Sequence, residues 1–491
     1  MNSLKKTGIN FTSNIVFYIA KLIIGIIALP VCLHAFGEEQ YGLYLLGFGL
    51  SSSLTVFDFG ASRSIFRYTI EYQEDKNIEK YASALSGAWS LNVIAALVIG
   101  CILFGLGLFS ADIFHLSPES AEHSIALFTL AGINACILTI STAPQLLLQA
   151  KHYFHKRNSW QYIPLLGNFS LLMLTEPLKL SILTFAGFSC VLSIAGLCID
   201  ALLVRHTQVI RNIPIRFTLK PTVASHFARS SFAHAAISFL SVQADRLIIG
   251  SVLNVSAVTT YTIITKPYFL LRGFISAGYP TFQPALSEAY LSGNIDHYKQ
   301  LSSRIIRVSF ILVICMCGFL TAFFYPLLET WVHTSQYHPY AKWGMLSMIT
   351  ICITMLYTPH FRTISNSAQL NSIVRFSMIS VPVNVLASII LSYYMGFQGV
   401  IIGTLIQICG EAIYIYYLLN HSTKIKPQVI SVKYLLIALC ICVGSYLLSL
   451  QLYEAHTFDK LTLIYMATFV IWILIICVPI LKKEKLFQET K

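Results

Sequence analysis

Charged residues are scarce in this chain of 491 residues: Asp, Glu, Lys and Arg make up 11% of it, whereas hydrophobic residues make up 56%. The mean hydropathy is +0.70. A soluble globular domain carries about 25% charged residues. The composition therefore excludes a soluble globular protein and predicts an integral membrane protein of the all-α class.

Three further features are lacking. The loops predicted between the apolar segments are all short, which disfavours an integral glycosyltransferase or polymerase, because those enzymes carry carboxylate chemistry in sizeable loops. The chain has no GxxxxGK[ST] motif, so a fused ATPase of the P-loop kind is excluded. Its twelve cysteines have neither zinc nor dithiol spacing and are interpreted as packing residues. No catalytic residue, metal site or cofactor is predicted.

What the chain does have is a series of apolar runs. Fourteen of them reach the length of about 20 residues that crosses a hydrocarbon core. They lie near 11–33, 41–62, 82–109, 123–150, 159–176, 180–204, 227–252, 257–281, 305–327, 341–361, 375–395, 397–419, 433–453 and 462–481. The first run lacks a small-x-small cleavage site and is interpreted as a retained helix rather than a signal peptide. We expect about fourteen transmembrane helices.

The basic residues predict the orientation of these helices. The formal net charge is +12, which by itself would suit a nucleic-acid partner. With both termini in the cytoplasm, however, 26 of the 33 Lys and Arg fall in cytoplasmic loops and tails, three on the periplasmic side and four within apolar runs. This asymmetry follows the positive-inside rule. The loop charges are therefore topological anchors, and no nucleic-acid partner is predicted.

Similarities between the two halves of the chain predict an internal repeat, which is common in secondary transporters. Three pairs occur in the same order at a slowly drifting offset. They are Tyr41 with Tyr261, Pro144 with Pro359, and Gly187–Val191 with Gly396–Val400. We expect an N-terminal lobe of six helices at 1–226 and a C-terminal lobe of six helices at 227–426. Two added helices and a cytoplasmic tail would occupy 427–491.

Four cations, Lys21, Arg246, Lys266 and Arg272, lie inside apolar runs. A charge at the centre of a bilayer costs about 2.5 to 3.5 kcal/mol on insertion scales, so several of them imply a polar cavity or charged partners. Guanidinium groups bind phosphate bidentately and lysine binds it as a point charge. The cations therefore favour an anionic cargo with a phosphate or pyrophosphate group, whereas snorkelling to the interface is the alternative.

Other polar residues extend this prediction. Tyr18 shares a helix face with Lys21, and His234 lies on a polar stripe of the seventh helix, although hydroxyl-rich stripes also serve helix packing. Arg63 lies at the cytoplasmic end of the second helix, where a topological anchor is equally reasonable. We predict that all three, like the four cations, bind substrate.

Among the embedded acids, Asp58, Asp245 and Glu411 are predicted to be counter-ions or sites of proton or sodium coupling. Asp245 is adjacent to Arg246, so the two charges could neutralise each other or face different partners. Asp200, near a cytoplasmic helix end, is interpreted as solvated.

The segments Gly37–Tyr44, Asp58–Gly60 and Asp245–Gly250 resemble the polysaccharide-transporter branch of the multidrug/oligosaccharidyl-lipid/polysaccharide exporter (MOP) superfamily, to which the Wzx-type O-antigen flippases belong. The resemblance implies a two-lobed exporter of fourteen helices and no enzyme. It also implies transfer of an undecaprenyl-pyrophosphate-linked oligosaccharide, such as the O-antigen unit of lipopolysaccharide, across the bacterial inner membrane. The embedded cations are similar in position to those that line the cavity in this family.

The partners implied are the lipid-linked oligosaccharide, membrane lipids and other polysaccharide-assembly proteins. Two rivals from the same superfamily stay open: a lipid II flippase, and a multidrug antiporter, whose cavity should be acidic and aromatic. The driving force is also open between the membrane potential and a proton or sodium gradient.

Overall fold

The computed structural model is helical along the chain and has no strand among the residues that it describes. These are residues 3–75, 78–151, 153–209, 214–218, 228–278, 286, 289, 293–365, 370–422, 432–452 and 462–472. The helices of the first half are α1 (Ser3–Leu54), α2 (Ala61–Asp75), α3 (Ile78–Leu108), α4 (Ser110–Ile113), α5 (Pro118–Ala150), α6 (Phe154–Thr175), α7 (Ile182–Thr207) and α8 (Ala228–Val252). Those of the second half are α9 (Val255–Gly278), α10 (Ile295–Ala322), α11 (Phe324–Val332), α12 (Ala341–Ser365), α13 (Leu370–Met395), α14 (Gln398–Ser422), α15 (Val432–Gln451) and α16 (Thr462–Trp472). An all-helical fold is what the bilayer requires, because a helix satisfies its backbone hydrogen bonds internally.

Eight helical spans in the described residues are long and apolar enough to cross a membrane. A ninth is added if the two parts of α8, Ala235–Ser241 and Gln243–Val252, form one span. Each apolar run predicted from the sequence overlaps one of the helices, and the first two runs share α1. The protein is therefore a multi-pass membrane protein, and the number fourteen stays a prediction.

Helix α1 is interrupted at Gly37. The backbone there has φ 75° and ψ 173°, a conformation that a side chain would strain. The apolar part of α1, Val16–Leu54, has 39 residues, about 58 Å at 1.5 Å per residue. This is nearly twice the thickness of a hydrocarbon core of about 30 Å. The break therefore divides α1 into two membrane-crossing lengths without a loop between them.

The helices group into two compact units, residues 1–259 and 260–491. In the first unit α5 packs against α3, α7 and α1. Asn134 of α5 ties two of these neighbours together, since its Nδ2 donates to Ser51 Oγ of α1 at 3.0 Å and its Oδ1 accepts from Ser193 Oγ of α7 at 2.8 Å. A Cβ at Gly100 of α3 would lie 2.6 Å from Cys136 Sγ of α5. Small residues thus let these helices approach closely, as membrane interfaces require.

The peptide after α7 is docked on α3. Residues 214–218 belong to no helix, and Ser86 and Ser90 of α3 hold them by their hydroxyl groups. Ser86 Oγ accepts from Arg216 N at 2.9 Å and donates to Pro214 O at 3.4 Å, and Ser90 Oγ accepts from Thr218 N at 2.8 Å. In these three hydrogen bonds the peptide uses main-chain groups.

In the second unit α12 packs against α10 and α14, α13 packs against α14, and α15 packs against α10. The central helices of the units, α5 and α12, each contain one proline in their interior, Pro144 and Pro359. The third predicted pair is not equivalent in position, because Gly187 lies inside α7 whereas Gly396 precedes α14 with φ 69°. The predicted lobe limits at 226 and 426 come from the sequence repeat, whereas the two compact units are defined by packing. The lobe limits stay predictions.

Candidate functional sites in the two units

A buried ion pair joins α6 to α7 in the first unit. Arg157 Nε donates to both carboxylate oxygens of Asp200, at 3.1 and 3.2 Å. The exposed fraction is 15% for the Arg157 side chain and 1% for that of Asp200. Asp200 was predicted to be solvated, and this interpretation was wrong. Helix α6 begins at Phe154, earlier than the apolar run at 159–176, so Arg157 lies in its first turn.

Lys21 of α1 lies near this ion pair. Its ammonium group is within electrostatic range of both Arg157 and Asp200. It also lies 4.7 Å from the centroid of the Phe17 ring, a cation–π contact, and Phe17 packs edge-on against Tyr162 of α6. Lys21, Arg157 and Asp200, termed here the Lys21 cluster, therefore bring two cations and one carboxylate together from three helices. Tyr18, one residue from Phe17, is 42% exposed.

Arg246 of α8 contacts the second part of α1. One terminal nitrogen of its guanidinium lies 3.1 Å from the position that a Cβ at Gly49 would take. The preceding turn is fixed by Gln243, whose amide nitrogen donates to Gly49 O and to Ser53 Oγ. Asp245 and Arg246 are both half-buried. The absence of a side chain at Gly49 therefore gives the guanidinium its place beside α1.

Asp58 is buried and caps α2. Its Oδ1 accepts from Gly60 N at 2.9 Å, and its Oδ2 accepts from Ser62 N at 2.7 Å. Capping is a common role of an aspartate that precedes a helix. A coupling role for Asp58 stays a prediction. Arg63 and His234 lie in α2 and α8, but their side chains are outside the described part of the chain.

In the second unit, polar side chains of α9, α12 and α14 form a second cluster. Arg272 Nη1 donates to Tyr268 OH at 3.3 Å. Glu411 accepts from Tyr357 OH at 2.9 Å and from Gln407 Nε2 at 2.9 Å. Glu411 and Tyr357 both lie within electrostatic range of the Arg272 guanidinium. We term these five residues the Glu411 cluster.

Lys266 lies on α9, the helix that carries Arg272, and is half-buried. Each unit therefore has embedded cations that the sequence predicted, and in each at least one of them lies near a carboxylate. The predicted binding roles of the individual residues stay predictions. Within the described ranges, no three His, Cys, Asp or Glu side chains are grouped so that they could hold a metal ion.

Five members of the two clusters were not among the predicted site residues: Arg157, Asp200, Tyr268, Tyr357 and Gln407. A signal existed for Asp200, because a carboxylate inside an apolar run needs a partner. No comparable signal exists for Tyr357 and Gln407, since neither side chain carries a charge. The packing of α12 on α14 brings Tyr357 to Glu411, whereas Gln407 lies one turn before Glu411 on α14.

The chain is thus a multi-pass helical bundle in which Arg246 and Lys266 are half-buried and Lys21 and Arg272 are exposed on their helices. A family profile described as polysaccharide biosynthesis protein matches residues 4–290, which is more than half of the chain. The protein belongs to this family, and with it to the polysaccharide-transporter branch of the MOP superfamily, as the sequence resemblance predicted.

Solved structures of this superfamily share the fold. The inward closed conformation of the lipid II flippase MurJ is similar with a TM-score of 0.72 at 16% identity, over 96% of this chain and 99% of that one. An inward-facing multidrug resistance MATE transporter of the MOP superfamily has a TM-score of 0.59 at 13% identity, over 88% of this chain and 100% of that one. A MOP superfamily transporter from Pyrococcus furiosus Vc1, described as having a binding pocket of reverse polarity, has a TM-score of 0.54 at 14% identity, over 86% and 94% of the two chains. Among curated proteins, none matches this chain.

Proposed function

We propose that the protein is a flippase for undecaprenyl-pyrophosphate-linked oligosaccharide. It moves an O-antigen unit, or a similar repeat unit of a surface polysaccharide, from the cytoplasmic to the periplasmic leaflet of the bacterial inner membrane by alternating access. Both termini face the cytoplasm in this proposal, as the distribution of Lys and Arg favours.

The observation that carries the proposal is the set of embedded cations in a member of a polysaccharide biosynthesis family. Lys21, Arg246, Lys266 and Arg272 lie within apolar runs of the sequence, on α1, α8 and α9. Pyrophosphate offers several oxygens to such groups, and guanidinium groups bind them in pairs. A pyrophosphate-linked lipid supplies this anion together with a tail that stays in the bilayer.

The driving force is part of the proposal. Moving one elementary charge through the membrane potential changes its free energy by about 2.3 kcal/mol per 100 mV. Outward movement of two negative charges is therefore favoured by roughly 4 to 5 kcal/mol per 100 mV. Proton or sodium coupling through Asp58, Asp245 or Glu411 is the alternative. Reconstituted transfer that follows a pH gradient but ignores an imposed potential would contradict the potential-driven version.

The experiment is complementation in a strain that lacks its O-antigen flippase, with surface polysaccharide as the readout. We expect the chain to restore surface polysaccharide, and Arg246→Ala and Arg272→Ala to reduce it at least tenfold at equal membrane levels, because each loses a charge-assisted contact. The Arg→Lys variants are the matched controls and should keep part of the export. Normal export by both alanine variants would show that these cations do not bind the cargo.

The same strain set separates the rival cargoes. Growth of a strain depleted of its lipid II flippase would identify lipid II as the cargo, a rival that shares the pyrophosphate and therefore the cation chemistry. If the chain complements neither the O-antigen flippase strain nor the lipid II flippase strain but confers resistance to cationic drugs, it is an antiporter. An acidic cavity is expected for that rival, whereas embedded cations here at least equal embedded acids.

A further inference from the structure

We propose that Arg157 is an anion-binding residue of the first unit, positioned by Asp200 and acting with Lys21 on the pyrophosphate of the cargo. This inference rests on the proposed function for the identity of the anion. It adds one binding residue and one positioning residue that were not among the predicted site residues.

The orientation of the guanidinium is the first argument. Both described hydrogen bonds of the Arg157 side chain run from Nε to the carboxylate of Asp200. The two terminal nitrogens make no hydrogen bond within the described residues. A guanidinium held by its Nε presents these nitrogens as a fixed fork, which is the geometry that binds phosphate oxygens in pairs.

The charge balance is the second argument. Asp200 carries one negative charge, while Arg157 and Lys21 carry two positive charges within electrostatic range of one another. A pair that served only to join two helices would need one cation, and a second one nearby costs free energy by repulsion. The Lys21 cluster therefore has an excess of one positive charge, which an anionic ligand would neutralise.

The packing around α6 is the third argument. Two other polar contacts, both partly buried, already hold this helix: Asn158 Nδ2 donates to Ser13 Oγ of α1 at 3.3 Å, and Gln161 Nε2 donates to Gly196 O of α7 at 2.9 Å. Asn158 is 1% exposed, whereas Arg157 keeps 15% of its side chain exposed. The attachment of α6 to its neighbours thus does not depend on the ion pair, and Arg157 remains accessible on one side.

The test measures binding of farnesyl pyrophosphate to purified protein in neutral detergent, by titration calorimetry at fixed ionic strength. Arg157→Lys keeps the charge but loses the fork, and we expect it to raise the Kd about tenfold. The double variant Arg157→Gln with Asp200→Asn keeps a neutral hydrogen-bonded pair and should raise the Kd about thirtyfold or more. The control is Lys156→Gln, which removes an exposed cation next to Arg157 and should stay within about twofold of the parent.

The outcomes separate this inference from the proposed function. Weaker binding in both Arg157 variants, with an unchanged control, supports the anion site even if the chain exports no oligosaccharide. A double variant that is folded, as judged by its melting temperature, but binds within about twofold of the parent would overturn the inference even if export is normal. Absence of binding by the parent protein would overturn it as well.

Two further probes identify the source of the anion. Inorganic pyrophosphate should bind more weakly than farnesyl pyrophosphate but with the same dependence on Arg157, because the head group is shared. Phosphatidylglycerol added to the micelles should compete at least tenfold less well than farnesyl pyrophosphate, since a single phosphate diester offers fewer oxygens. Equal competition by phosphatidylglycerol would show an ordinary lipid contact and would contradict the proposal.

Discussion

The two polar clusters use a carboxylate in opposite ways. In the Lys21 cluster the Asp200 carboxylate is bonded directly to a cation, the guanidinium of Arg157, and is almost completely buried. In the Glu411 cluster the carboxylate accepts from a phenol and an amide, whereas Arg272 donates to a different phenol, that of Tyr268. One unit therefore fixes its acid to a cation, and the other surrounds its acid with neutral donors.

This difference suggests a division of work. A carboxylate bonded to a guanidinium gains nothing from taking up a proton, because the proton would leave the guanidinium unpaired. The carboxylate of Glu411, by contrast, accepts from the neutral groups of Tyr357 and Gln407. We therefore expect the first unit to supply a fixed anion site and Glu411 of the second unit to be the group that responds to a proton gradient.

The largest expected effect is the loss of the acid that is fixed to a cation. Asp200→Ala leaves the guanidinium of Arg157 without its carboxylate in a nearly closed site, which should lower the free energy of unfolding by about 3 to 5 kcal/mol. Thermal unfolding in detergent measures this change. Asp112→Ala, at an exposed position of α4, is the control and should have no measurable effect. Equal stability of the two variants would show that the ion pair contributes little.

Tyr357→Phe tests the neutral donors of the second unit. The variant removes a hydrogen bond of 2.9 Å to the Glu411 carboxylate, and bonds to charged groups contribute about 1.5 to 3 kcal/mol. We expect a loss of this size in the same unfolding measurement. Tyr394→Phe, on a side chain that is 84% exposed, is the matched control. A loss no greater than that of the control would mean that Glu411 does not depend on the phenol.

Glu411→Gln tests whether the acid of the second unit, and not that of the first, couples transfer to a pH gradient. The amide is isosteric and still accepts from Tyr357, so stability should change by only about 1 kcal/mol. Transfer in proteoliposomes should lose its response to a pH gradient. Asp200→Asn is the corresponding change in the first unit and should keep that response. An unchanged pH response in Glu411→Gln would remove this residue as the coupling group.

The smallest expected effect comes from Tyr268→Phe. The hydroxyl group accepts from Arg272 at 3.3 Å, a long contact that should contribute about 0.5 to 1 kcal/mol. Unfolding midpoints of Tyr268→Phe and Tyr357→Phe, measured side by side, check the order of the two phenols. A larger loss for Tyr268→Phe would reverse the comparison between the two halves of the cluster.

Hydropathy predicted the helices well but not their polar ends. The run at 305–327 lies on α10, which begins ten residues earlier at Ile295, where Asn294 Oδ1 accepts from His297 N at 3.2 Å. The run at 159–176 began five residues after the start of α6 in the same way. An apolar count detects the part of a helix that contacts lipid, whereas the capped polar turns outside it must be found from capping residues.

In each candidate site the sequence predicted one residue of a contact but not its partner. Lys21 and Glu411 were found because a charge within an apolar run is costly wherever it is. Their partners Arg157 and Tyr357 became visible only once α6 was packed on α1 and α12 on α14. Asp58 was different: an aspartate followed by glycine and a helix is a capping arrangement that local sequence alone could have indicated.

The docking of residues 214–218 on α3 should constrain the two sides of the contact differently as homologous sequences diverge. The hydrogen bonds of the peptide to Ser86 and Ser90 use its backbone N–H and C=O groups, so these bonds do not depend on which side chains it carries, apart from proline at 216 or 218, which would remove a donor. They do depend on the hydroxyl groups of Ser86 and Ser90. Among homologues we therefore expect Ser or Thr to persist at these two positions of α3, opposite a connecting peptide whose own sequence drifts.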